Sequence, residues 1–324
     1  MTMSYAQDPL WRQMQQFLPP AWHIAPGQEP TEDWWPWQGH RVHLDYYRNP
    51  QAAIKVILLH GVDTNGRQMS MILGRPLAQR GYETVAIDMP EYGMTKVAPG
   101  TLVRYDNWVQ AGCDLVAAEL ARDARPIVLY GLSAGGMPAW HIAQRSKQVR
   151  AIVGMTFLDQ QSQQVRDETA LNVLMSRVGG ALVQWGARSP LKRLRLPMRL
   201  ASKMHALVND PAALRVWLRD RRSAGNAMTL AFLSSYLNFR PETAPEDFDC
   251  CPVLLTQPAA DRWTPLHLSQ PFLRCITRVP VSTVILEGAG HYPLEQPGLT
   301  QMVEAIDAFY RQAAPPDEKC EAHR

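Results

Sequence analysis

The 324-residue sequence contains no run of about 18 uncharged apolar residues, so no membrane-spanning helix is expected. It does not open on a secretory signal either, because MTMSYAQDPLWRQMQQF has no basic segment followed by an unbroken apolar one. A surplus of one charge is missing too. The 33 Lys and Arg face 30 Asp and Glu, which excludes the molecule as a whole from polyanion binding, so nucleic acid is not an expected partner. Cysteine is scarce, and Cys113, Cys250, Cys251, Cys275 and Cys320 show neither metal-ligand spacing nor an even disulfide framework. No metal or organic cofactor is implied, and unpaired thiols point to a reducing compartment, the cytoplasm. Internal repeats and low-complexity tracts are absent, and the sequence specifies no oligomeric state.

What is present suits a large buried core: 46% of residues are hydrophobic and only 19% charged. Residues 1–38 carry five tryptophans and little periodicity, and read as an extended arm held down by its aromatic rings. The stretch RVHLDYY (41–47) alternates like a half-solvated strand. After it come short apolar runs of the kind a fully buried parallel strand has: IKVILL (54–59), YETVAI (82–87), PIVLY (126–130) and VRAIVGM (149–155). Stretches with helical spacing separate them at 66–80, 103–121 and 133–146. This alternation implies a parallel sheet with helices on both faces.

Between 158 and 247 the alternation stops, and only helix-like spacing is found. It resumes with strand 252–257, helix 265–277, strand 281–286 and helix 299–312. The expected organisation is therefore an α/β core from 39–157 and 248–313. A helical cap (158–247) enters after the sixth strand, and 314–324 form a polar tail.

The chemistry sits where strands end. PIVLY runs directly into Gly131-Leu132-Ser133-Ala134-Gly135, followed by a helix. A nucleophilic serine on so sharp a turn needs small neighbours two residues either side, and the helix N-terminus then faces the developing oxyanion. Such a serine requires a base and an orienting acid. His291 lies in a glycine-rich loop after the last strand, placed to reach back over the sheet edge. Asp261 follows strand 252–257 and is the expected acid, with Asp159 as its competitor. Backbone N–H groups of Val62 and Ala134 would hold the oxyanion, and His60 reads as a hydrogen-bonded structural histidine.

These segments, in this order, resemble the α/β-hydrolase superfamily over about residues 40–312. The inserted helices are similar to those of its capped esterase, lysophospholipase and monoacylglycerol-lipase-like members. The resemblance implies acyl transfer to water through an acyl-enzyme on Ser133. Relatives that open epoxides or carbon–halogen bonds carry aspartate at that position. Asp88-Met89-Pro90-Glu91-Tyr92-Gly93-Met94-Thr95 also resembles the family's D-x-P-G-x-G-x-S loop but has Glu91 where glycine is usual.

The expected substrate is a small ester or lipid-like molecule with a hydrophobic acyl group. Amide, thioester or carbon–carbon bond hydrolysis by the same residues is the first alternative, and a non-catalytic ligand-binding scaffold the second. Between Arg188 and Arg222, ten Lys or Arg face two acids, with leucines and methionines interleaved. That stretch can make peripheral contact with an anionic membrane, receive an anionic substrate, or simply be a solvated face over an apolar underside. Trp217, Trp263, Met175, Met228 and Phe232 are candidates for the pocket or for core.

Overall fold

The computed structural model describes residues 4–313; the expected tail from 314 onward, with Cys320, lies outside them. One eight-stranded sheet organises the chain, in the order β1-β2-β4-β3-β5-β6-β9-β10. Its strands are β1 (Thr31–Trp37), β2 (His40–Tyr47), β3 (Lys55–Leu59), β4 (Glu83–Ile87), β5 (Ile127–Gly131), β6 (Val149–Gly154), β9 (Val253–Pro258) and β10 (Val281–Leu286). The first two are antiparallel additions, while β3 onward run parallel. Every residue of β3, β4 and β5 is buried, which is why these strands read as unbroken apolar runs rather than alternating ones.

Helices α1 (Leu10–Met14), α2 (Gly66–Met69), α3 (Arg75–Gln79), α4 (Tyr105–Arg122) and α5 (Gly136–Ser146) precede or alternate with the first six strands. Between β6 and β9 lie α6 (Gln163–Thr169), α7 (Gly180–Ala187), α8 (Met198–Ala201), α9 (Pro211–Trp217) and α10 (Leu230–Leu237); α11 (Gln270–Cys275) and α12 (Gly298–Ala313) close the chain. On α12 the buried residues Leu299, Met302, Val303, Ile306 and Tyr310 form one stripe three to four residues apart, the face that meets β6, β9 and β10. It packs beside α3, whereas α4 packs on α5.

Two expectations change. The stretch 1–38 is not simply extended: it contains α1 and the edge strand β1, paired with β2 from Thr31↔Tyr46 to Trp37↔His40. Pro36 hid this strand, since proline argues against a central strand but is tolerated at an edge, where β1 lies. Its aromatics do anchor it. Trp11 and Trp37 are buried, with Trp11 Nε1 donating to Tyr5 O (2.7 Å) and Trp37 Nε1 to Asp114 Oδ2 (2.7 Å). The second change is in the insertion, which is not purely helical, because β7 (Arg195–Pro197) pairs antiparallel with β8 (Ala227–Thr229). Three-residue strands are too short to display a period of two.

A buried ionic cluster ties the N-terminal segment to the sheet. Arg67 grips Asp45 with Nε and Nη2 (2.6 and 3.0 Å), and His43 lies between Glu32 and Asp88, 3.0 and 2.9 Å from them. Burial opposes charge on His43, but the carboxylates, Asp88 foremost, hold its pKa up at about 10. Asp88 also accepts from the Gly66 and Met94 amides and the Tyr5 hydroxyl, which fixes the loop after β4.

Candidate active site

The C-terminal ends of β3, β5, β9 and β10 converge on one point. After β5 the backbone turns so sharply that Ser133 adopts φ +52°, a left-handed conformation costly for a side-chain-bearing residue. A Cβ on Gly131 would run into Gly135 O, and one on Gly135 into Leu59 O, so the turn exists only with glycine at both places. Thr156 Oγ1 donates to Ser133 O (2.8 Å) from the far side.

His291 reaches the serine from the loop after β10. The Tyr292 amide donates to Leu207 O (2.8 Å) and the Gly290 amide to Glu295 Oε2 (2.9 Å), which clamps the loop on both sides of the ring. Its Nε2 lies 2.7 Å from Ser133 Oγ and its Nδ1 2.9 Å from Asp261 Oδ2. Asp261 is itself held by the amides of Trp263 (2.7 Å) and Thr264 (2.8 Å) and by the Thr264 hydroxyl (2.7 Å). Burial raises the cost of its charge, yet His291 and the Thr264 donors keep its pKa near 2. The loops that carry Asp261 and His291 are also joined directly, Ala260 N donating to Ala289 O (2.9 Å). Asp159 accepts instead from the Gln161 amide (2.8 Å), so the structure brings Asp261, not Asp159, to the histidine.

Val62 and Ala134 line the cavity above Ser133. His60 underpins that loop: its Nε2 accepts from the Met89 amide (2.9 Å), leaving Nδ1 to donate to Gly61 O (2.6 Å). Burial keeps its pKa low, and a neutral ring with both nitrogens engaged is structural.

The sequence reading did not single out Asp63. Its carboxylate is fully buried, its Oδ2 sits 3.5 Å from His291 Nε2, and neither oxygen has a hydrogen-bond partner among the described residues. A lone carboxylate in a loop read for its backbone N–H groups gives no spacing signal. Burial by itself lowers the His291 pKa, but Asp261 and then Asp63 reverse this and raise it to about 10.

The loop after β4 explains its departure from the usual pattern. Glu91 takes φ +75°, the conformation glycine would supply, and its side chain pairs with Arg195 of the insertion (3.1 Å). The Trp263 ring lies 4.7 Å from the His291 ring at a tilt of 36°, and its Nε1 donates to Thr169 O (3.0 Å). Of the five pocket candidates, Trp263 and Met175 line the cavity, whereas Trp217, Met228 and Phe232 are fully buried and line none of it.

The sequence pattern of the alpha/beta hydrolase family matches residues 56–300, most of the chain. The chain belongs to the α/β-hydrolase family. No curated protein sequence matches it. Among solved structures, this α/β-hydrolase is similar to a soluble variant of monoglyceride lipase from Saccharomyces cerevisiae in complex with a substrate analogue. That likeness has 16% identity and a TM-score of 0.71, and covers 88% of this chain and 95% of that one. A monoacylglycerol lipase from Paleococcus ferrophilus matches with 17% identity and a TM-score of 0.66 over 84% of this chain and 99% of that one. A thermophilic esterase from Thermogutta terrifontis matches with 17% identity and a TM-score of 0.56 over 89% and 100%. At these identities the likeness is one of fold.

Proposed function

We propose that this α/β-hydrolase cleaves carboxylic esters with a hydrophobic acyl group, through an acyl-enzyme on Ser133. The observation that carries this reading is the 2.7 Å contact between Ser133 Oγ and His291 Nε2, with Asp261 2.9 Å behind Nδ1. His291 takes the Oγ proton as Oγ attacks the ester carbonyl, and the amides of Val62 and Ala134 receive the oxyanion. Asp261 accepts from Nδ1–H, fixes the tautomer and stabilises the imidazolium, which then protonates the departing alcohol. Water repeats the sequence on the acyl-enzyme with His291 as base, releasing the acid and restoring Ser133.

The cavity above Ser133 supports the acyl preference. Its volume is about 590 Å³, and Leu158, Met175, Val183, Met198, Leu233 and Trp263 give it apolar walls, with Gln160, Gln184 and Arg166 as polar points. Lipases and an esterase among the fold neighbours agree with it. Cys113, Cys250, Cys251 and Cys275 are free thiols, which supports a reducing compartment, the cytoplasm.

A fluorophosphonate probe is expected to label wild type at Ser133 and to leave Ser133→Ala unlabelled. Across p-nitrophenyl esters of rising chain length, medium or long acyl groups should be turned over faster than acetate and faster than any aminoacyl anilide. Equal labelling of Ser133→Ala, or a preference for an anilide over every ester, would overturn the proposal.

A further inference from the structure

Eight of the nine large apolar side chains exposed among the described residues fall within one stretch, 173–200 of the insertion. The helical run from Met175 to Ala187, together with its N-cap Leu174, carries half of them. Leu174, Val178, Leu182 and Trp185 recur at i, i+4, i+8 and i+11 and form one outward stripe, and Leu174, Leu182 and Trp185 are 70, 61 and 65% exposed. The opposite side of the same run is already used: Met175, Gly179 and Val183 line the cavity above Ser133. Leu191, Leu194 and Leu200, later in the same stretch, are exposed as well. Monomeric proteins rarely leave so many neighbouring apolar groups in water without a partner for them.

The charge around the stripe says which partner. Residues 173–200 contain six cations (Arg177, Arg188, Lys192, Arg193, Arg195 and Arg199) and no acid. Arg177 pairs with Asp167 and Arg195 with Glu91, whereas Arg188, Lys192 and Arg199 form no ion pair among the described residues. Pairing two copies of this patch would set Arg188, Lys192 and Arg199 against the same three cations with no carboxylate of residues 173–200 between them, which disfavours self-association. An anionic lipid surface satisfies both components, taking the leucines and the indole below its headgroups while phosphates meet the basic rim.

We propose that residues 173–200 dock the protein on anionic bilayers, with Leu174, Val178, Leu182 and Trp185 entering the headgroup region and Arg188, Lys192 and Arg199 holding lipid phosphates. The helix is then a wall between bilayer and cavity. In this respect the inference rests on the lipid-like ester reading above.

Co-sedimentation with phosphatidylcholine vesicles, with and without phosphatidylglycerol, tests it without using hydrolysis. Wild type and Ser133→Ala should bind the anionic vesicles about tenfold or more tightly than the neutral ones, with affinity falling as salt rises. The pair Leu182→Glu and Trp185→Glu should abolish binding yet leave turnover of a soluble short-chain ester unchanged, which shows that the variant is folded. The triple change Arg188→Glu, Lys192→Glu and Arg199→Glu should remove the preference for anionic lipid. Failure of wild type to bind either vesicle, or binding by the Leu182/Trp185 variant equal to wild type, overturns the proposal. A dimer in solution that this variant dissolves would also overturn it, by assigning the patch to a second copy. Vesicle binding without ester turnover would sink the esterase reading alone, and turnover without binding the docking alone.

Discussion

Asp63 offers the sharpest test of how the site is charged. At 3.5 Å from His291 Nε2, an ionised carboxylate interacts with an imidazolium by about 5 kcal/mol at an effective dielectric constant of roughly 20, an upper bound once solvent and relaxation are allowed for. An opposite charge at this range shifts a pKa by about 1 to 3 units. The groups facing His291 are Asp261 and Thr264 at Nδ1 and Ser133 and Asp63 at Nε2.

Asp261 and Asp63 together favour the protonated form of the His291 ring, which cannot accept the serine proton. Asp63→Asn keeps the shape and removes the charge. The acid limb of kcat/KM should therefore move to lower pH by about 1 to 3 units, raising activity at neutral pH by about tenfold per unit. On the alkaline plateau the same variant should be slower, because the imidazolium formed in the transition state loses one of its two counter-charges. The assay is the pH–rate profile on a soluble p-nitrophenyl ester. An acid limb that stays in place, or moves to higher pH, refutes the argument that Asp63 acts through charge on His291.

Asp261→Asn should lower kcat on the order of 10⁴-fold with little change in thermal stability, since the amide favours the wrong His291 tautomer; steady-state kinetics checks it. Arg67→Met strands the Asp45 carboxylate in the core and should cost about 3 to 5 kcal/mol in urea unfolding, far more than a surface arginine. Glu91→Ala and Glu91→Gly both delete the Arg195 ion pair, but only glycine suits φ +75°, so the alanine variant should be less stable by about 1 kcal/mol in the same assay. His43 has a raised pKa, so its contribution to stability is complete below pH about 6.5 and is lost as pH climbs toward about 10; His43→Gln should flatten that alkaline loss in melting temperature.

Strands β3, β4, β5, β6 and β9 were legible because a parallel strand buried on both faces must be an apolar run, bounded here by glycine, proline or aspartate, whereas β10, an edge strand with an exposed face, was legible from its β-branched residues. The strands that escaped were those that break this rule. β1 is an exposed edge holding Pro36, and β7 and β8 are too short for any period to register. Ser133, Asp261 and His291 were legible as residue types at strand ends, and the structure sets them within hydrogen-bond distance of one another. Asp63 was not, because its position beside Nε2 depends on how one loop folds against another. Glu91 was visible as a departure, but a sequence cannot tell whether the turn adapts to the side chain or the side chain accepts the turn. The left-handed φ shows that it is the side chain that accepts.

The insertion is joined to the core at the loops that carry the site, and this ties its outer surface to the chemistry beneath. The Trp263 indole, two residues from Asp261, donates to Thr169 O, and the Tyr292 amide, next to His291, donates to Leu207 O. Glu91 reaches Arg195, and Arg193 Nη2 donates to Gly100 O. The run from Met175 to Ala187 stands between these anchors, with cavity on one side and the exposed stripe on the other. Any partner that takes up the stripe therefore bears on the wall of the cavity, while Thr169 and Leu207 hold the ring and carboxylate in place. Surface and site therefore meet at the wall of the cavity, apart from the 2.7 Å contact between Ser133 and His291.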